Sequence, residues 1–150
     1  MDAAAAYLHF FSIMALTAFL VTQFVLCSRD LQPPQVQILA RIDILYLAAA
    51  VLALATGLAR LFIAGKGASF YLMNPVFYIK IALFLAVGLV SVMPTLQFIR
   101  WNRALKAGEG RVLRDHDIQS VRRYIALELL LLAFIPLAAV LMVRSIGLQH

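Results

Sequence analysis

The sequence predicts an all-α, polytopic membrane protein, with residues 1–150 forming a single domain that is a bundle of four transmembrane helices. Three observations carry that prediction. Hydrophobic residues make up 64% of the chain and charged ones 13%, against about half and a quarter in soluble domains; the mean hydropathy is +0.94. The apolar residues gather in four stretches, each near the roughly 20 residues that a helix needs to cross a bilayer. Those stretches are continuous rather than alternating, which excludes a membrane β-barrel. The same composition excludes soluble enzymes, nucleic-acid-binding modules and disordered tails. A pI near 10.0 reflects charge placed in loops, so no nucleic-acid partner is expected.

The first span runs from about Ala3 to Cys27. It begins Met1-Asp2 without a basic segment, and no small-x-small site follows it, so it reads as a span rather than a cleaved signal. Leu26 stands before Cys27, where a lipoprotein cysteine needs a small residue. A lone cysteine allows no intrachain disulfide. Asp30-Leu31-Gln32-Pro33-Pro34 breaks the chain, and a proline in the first turn opens helix two, whose apolar run extends from Leu39 to Ala64. Gly65, Gly67 and Ser69 make the next loop, and Asn74-Pro75 is a cap followed by proline at the first helical position. The third run is Val76 to Ile99 and the fourth Tyr124 to Val143, with Asp115 or Asp117 available as a cap.

Charge sets the expected orientation. Nine of the thirteen basic residues, Arg29, Arg41, Arg100, Arg103, Lys106, Arg111, Arg114, Arg122 and Arg123, lie at the connections between helices one and two and between three and four. Arg60, Lys66, Lys80 and Arg144 are on the other side. The positive-inside rule then puts both basic loops in the cytoplasm and both termini outside the inner (plasma) membrane.

Ionisable groups within spans are expensive and by default face the bundle interior. Counted from this orientation, His9, Arg60 and Lys80 fall in the outer half, and Asp43, Glu128 and Arg123 near the inner face. At 100° per residue each helix gathers its polar groups on one stripe: His9, Ser12, Leu16, Gln23 and Cys27; Asp43, Tyr46, Ala50, Ala53, Gly57 and Arg60; Lys80, Phe84, Val87, Ser91 and Pro94; Tyr124, Glu128, Ile135, Ala139 and Met142. Asp43 and Glu128 are candidates for a proton relay, or for structural ion pairs with Arg41, Arg122 or Arg123. Tyr78, Trp101 and Tyr124 read as interfacial anchors, and Pro94 and Pro136 as helix kinks. The small residues Ala49, Ala50, Ala53 and Gly57 suit close helix approach, within the chain or between copies in a homo-oligomer.

His9 is the candidate ligand. Imidazole suits haem iron, and axial partners are His or Met; Met142 is at a compatible depth, with Met73 a weaker choice. Lys80 and Arg60 are candidates to meet the carboxylates of a haem or other porphyrin-type molecule. A core histidine satisfied by hydrogen bonds is the plainer reading of the same residue.

Tyr7-Leu8-His9, Leu54-Ala55-Thr56-Gly57 and Phe77-Tyr78-Ile79-Lys80, with Asn74-Pro75, Ser91, Pro94-Thr95 and Trp101, resemble a family of small bacterial four-helix membrane proteins of unknown function, over essentially the whole chain. More distantly, the layout is similar to the HemJ-type protoporphyrinogen oxidases. Their early histidine in helix one, late glycine in helix two, lysine in helix three and glutamate in helix four fall on His9, Gly57, Lys80 and Glu128. That resemblance implies a bound haem b with His9 as ligand, and oxidation of a porphyrinogen. The chain departs from it in having Phe77 and Tyr78 where that family has a tryptophan, Thr22-Gln23-Phe24 in place of an arginine and a histidine, and Pro136 eight residues beyond Glu128.

The expected function is therefore a membrane haem- or porphyrin-binding protein, with oxidoreductase chemistry open. The alternative is a homo-oligomeric small transporter, channel or assembly subunit without enzymatic activity.

Overall fold

The computed structural model describes residues 2–63, 73, 75–109 and 113–143; within these, the side chains of residues 2, 61–63, 76, 139 and 141–143 are not described. Among the described residues the regular structure is four α-helices: α1 (Asp2–Leu26), α2 (Pro33–Ile63), α3 (Pro75–Lys106) and α4 (Asp115–Val143). Residues 65–69, Asn74, Lys66, Arg111, Arg144 and the side chains of Ala139 and Met142 lie outside the description.

Local chemistry explains the ends. Gln32 precedes Pro33, and its backbone N–H donates to Gln35 Oε1 at 2.8 Å, half of a capping box closed around a proline-first helix. Asp115 and Asp117 lie in the first turn of α4, where carboxylates favour the positive end of the helix dipole. Beyond Lys106, α3 stops at Gly108, whose φ is 76°. The Gly108 N–H bonds Leu105 O and the Glu109 N–H bonds Ala104 O, the pair of bonds of a Schellman stop that needs a left-handed residue.

Helices α1 and α2 pack closely, as do α3 and α4, and sparser seams join α2 to α3 and α1 to α4. The molecule is thus two antiparallel hairpins docked side by side in ring order. Three helices are long and apolar enough to cross a membrane, over Ala3–Leu26, Pro33–Arg60 and Phe77–Lys106. Only 17%, 22% and 17% of their apolar windows are buried inside the bundle, so Met14, Val51 and Leu89, among others, face outward. An apolar exterior of this extent suits lipid rather than water.

The densest core is at the end that carries the α1–α2 and α3–α4 connections, the basic end. Cys27, Leu31, Val36, Leu39, Phe98, Trp101, Ile118, Val121 and Ile125 are buried together there. Two sequence expectations change as a result. Trp101 is 1% exposed with its ring centroid 6.0 Å from that of Phe98; it is a core residue, not an interfacial anchor, because α3 runs on to Lys106 and Trp101 belongs to the core cluster that also holds Cys27 and Leu31. On α4 the inward stripe is Val121, Ile125, Glu128, Leu132 and Ile135, while Tyr124 is 36% exposed. The stripe is one residue out of register at its start, which leaves Tyr124, like the exposed Tyr78, on the outside.

Candidate functional site

His9, Ser12, Leu16, Gln23 and Cys27 are all buried, so the predicted face of α1 is the one that meets the bundle. From it the His9 ring reaches α2: Nδ1 is 3.0 Å from Ala53 O and 3.1 Å from Thr56 Oγ1. The Thr56 hydroxyl donates its own hydrogen to Leu52 O, so both neighbours of Nδ1 are acceptors. Nδ1 therefore carries the ring hydrogen in the neutral imidazole, and Nε2 keeps the lone pair. Gly57 makes room for this contact. A Cβ added there would lie 3.0 Å from His9 Cε1, closer than a side chain tolerates without displacing the ring. Ala49 and Ala53 are buried as well; the small stripe of α2 is used inside the chain.

Two cations join the histidine. The Arg60 guanidinium lies over the Phe10 ring at 5.6 Å from its centroid, and its buried Nε has no hydrogen-bond partner. Lys80, half-buried on α3, lies within electrostatic reach of both His9 and Arg60. The one ion pair among the described residues is His116 with Asp117, on the surface. The sequence-predicted residues His9, Arg60 and Lys80 are therefore brought together, without a carboxylate partner among the described residues. Met73 is exposed, which leaves it no place in this cluster, and the Met142 side chain is outside the described residues.

A second polar layer lies about 25 Å away along α2, the rise from Arg60 back to Asp43. All four helices contribute to it. Gln23 Nε2 donates to Asp43 Oδ1 at 3.1 Å, and the Tyr46 hydroxyl donates to Glu128 Oε2 at 2.9 Å. Ser91 faces Tyr46. Thr95 faces Asp43, at a geometry that leaves its buried hydroxyl without a hydrogen bond. The ion pairs expected of Asp43 and Glu128 are not formed, because Arg41 and Arg123 point outward and Arg122 is engaged elsewhere. Its Nη1 donates to Phe24 O at 3.2 Å and Cys27 O at 3.0 Å, and its guanidinium lies 4.2 Å from the Phe24 ring centroid. Arg122 thus closes the end of α1, where free carbonyls attract a cation. Sequence spacing gave no hint of this, since it depends on α4 lying next to α1.

Arg122→Ala is expected to destabilise the protein by about 1.5–3 kcal/mol, the scale of hydrogen bonds to a charged group, and Arg122→Lys to recover only part, since an ammonium lacks the planar fork. Thermal unfolding in mild detergent measures both; equal melting of all three proteins would contradict the cap.

No group of three or more His, Cys, Asp or Glu that could hold a metal ion occurs among the described residues. The chemistry offered is one imidazole nitrogen beside two cations, and a carboxyl layer beneath.

Apolar helices around two enclosed polar layers define a helical membrane protein. The chain belongs to the family described as "Predicted membrane protein (DUF2214)", whose model matches residues 1–147. No curated protein and no solved structure matches the chain.

Proposed function

We propose that the protein binds a haem or related porphyrin in the membrane, His9 Nε2 acting as axial ligand. In this reading α4 is a fourth span, both termini face outward from the inner membrane, and the basic loops are cytoplasmic, as the distribution of Lys and Arg supports. The observation that carries the proposal is the His9 ring, held through Nδ1–H on a helix carbonyl, with two cations beside it that have no carboxylate partner among the described residues. Metal-bound histidines characteristically donate their other ring N–H to a carbonyl or carboxylate, which fixes the tautomer and orients the lone pair.

The donor set fits such a group. His9 would hold the iron of haem b, and Lys80 and Arg60 would balance the propionates. When bound, the haem would supply one-electron redox chemistry. Ala53 and Thr56 keep the imidazole oriented, and Gly57 keeps it seated against α2. A cleft of about 240 Å³ between α2 and α3 is smaller than the roughly 300–1,000 Å³ of ligand pockets, and His9 does not line it; it is not the cofactor's seat. The distant likeness to HemJ-type oxidases rests on the same residues, and porphyrinogen oxidation is the activity it suggests.

The test is an ultraviolet–visible spectrum of detergent-purified protein from haem-replete cells, oxidised and dithionite-reduced. A Soret band with reduced α and β bands, lost in His9→Ala, is expected. A colourless wild-type protein, or a Soret band unchanged in His9→Ala, would overturn the assignment. The second reading, a homo-oligomeric transporter, channel or assembly subunit, draws on the uncompensated carboxyl layer. Liposome flux that survives His9→Ala and fails in Glu128→Gln would favour it.

A further inference from the structure

We propose that Asp43 and Glu128 hold an exchangeable proton between them inside the bundle, and that the cleft between α2 and α3 gives this proton its way in and out. The inference rests on the carboxyl layer alone and is independent of the reading of His9.

Glu128 is 1% exposed and Asp43 4%, and the two are close enough to act on each other electrostatically. The groups facing them can be named element by element. From α1 comes Gln23, which is neutral; from α2, Tyr46 beside Asp43 itself; from α3, the hydroxyls of Ser91 and Thr95. On α4 the next charged side chain toward the basic end that is not outward-facing is Arg122, committed to the end of α1. No described cation reaches the pair. Two buried carboxylates without a counter-charge repel each other and lose their hydration, so such a pair keeps one proton.

The hydrogen bonds indicate where it resides. Glu128 Oε2 accepts from Tyr46, whereas Oε1 is buried and has no partner. A carboxylate calls for donors on both oxygens. A carboxylic acid whose carbonyl oxygen accepts from Tyr46 needs no donor on the other, because that oxygen carries the hydrogen; that O–H calls for an acceptor in turn, the role left to the Asp43 carboxylate. Asp43, with Gln23 donating to it, is the partner better suited to the charge.

Access follows from the same residues. Tyr46, Ser91 and Thr95 line the cleft of about 240 Å³, with Leu16, Ala50 and Phe84 on its apolar walls. The space is wide enough for a water molecule; its walls are almost wholly apolar, and Tyr46, which lines it and donates to Glu128, is the link between the cleft and the pair. The unpartnered Thr95 hydroxyl lies there, between the cleft and Asp43.

Infrared spectroscopy of the full-length protein in lipid bilayers tests this. A protonated-carboxyl C=O band is expected at pH 7. It should shift on transfer to D2O, shift in Tyr46→Phe, and vanish in Glu128→Gln, which preserves size and the bond from Tyr46. Asp43→Asn provides a second variant and should strengthen the assignment by leaving the Glu128 band in place. Absence of the band at pH 7, or carboxylate bands that respond to Na⁺ instead, would overturn the proposal in favour of fixed charges balanced by a metal cation. A band that never exchanges in D2O would overturn it in favour of a sealed structural acid.

Discussion

Gly57→Val is expected to unseat His9, with a cost in stability of about 1–3 kcal/mol, the usual scale of overpacking, and with loss of any haem absorbance. A Cβ at Gly57 would stand 3.0 Å from His9 Cε1, and the two further methyls of valine leave the ring no place against α2. With the ring displaced, Nδ1 loses Ala53 O and Thr56 Oγ1, so the tautomer is no longer set. Gly57→Ala is milder. Its single methyl requires the ring to give by a few tenths of an ångström, while alanine gains roughly 1 kcal/mol of helix propensity over glycine. Melting temperature and Soret intensity, measured on the same preparations, separate the two substitutions. Wild-type behaviour in Gly57→Val would mean that the His9–α2 contact is not formed.

Trp101→Ala is expected to cost about 3–5 kcal/mol, as for large aromatic residues removed from cores. Trp101 is buried in the core cluster that also holds Leu31 of the α1–α2 connection and Ile118 and Val121 of α4, with Phe98 beside it. Trp101→Phe should cost much less. The indole Nε1 is buried without an acceptor, so phenylalanine removes an unsatisfied donor along with some volume, and the two effects oppose each other. Denaturant unfolding in detergent gives both values. An anchor at the membrane surface would show the reverse pattern, with little loss in the alanine variant.

The faces of the helices were legible because a single physical rule governs them: groups that lipid rejects turn inward. That rule placed His9, Ser12, Gln23, Asp43, Ser91 and Glu128 correctly, all of them buried. It failed where something other than a helix face decides burial. Trp101 looked like a span-end aromatic, and only the packing of the core at that end shows that it is buried. Arg122 looked like one more topology charge until α4 was seen to run beside the end of α1. For Asp43 and Glu128, nearby arginines in sequence suggested ion pairs, yet the helix phase turns Arg41 and Arg123 away and amide and phenol groups take their place. The contacts of His9 were half visible: Gly57 was recognisable as a point of close approach, but its partner was not, since helix order in the bundle is absent from any single helix's pattern.

The two-hairpin construction bears on how the chain is made. Ribosomes deliver α1 and α2 first, and that half carries partners for two of its buried polar groups: His9 meets Ala53 and Thr56, and Asp43 accepts from Gln23, all within one hairpin. The later half has no such self-sufficiency. Glu128 finds its donor only in Tyr46 of the earlier hairpin, and Arg122 its carbonyls only at the end of α1. A second half made without the first would leave Glu128 without its donor and Arg122 without the carbonyls it closes.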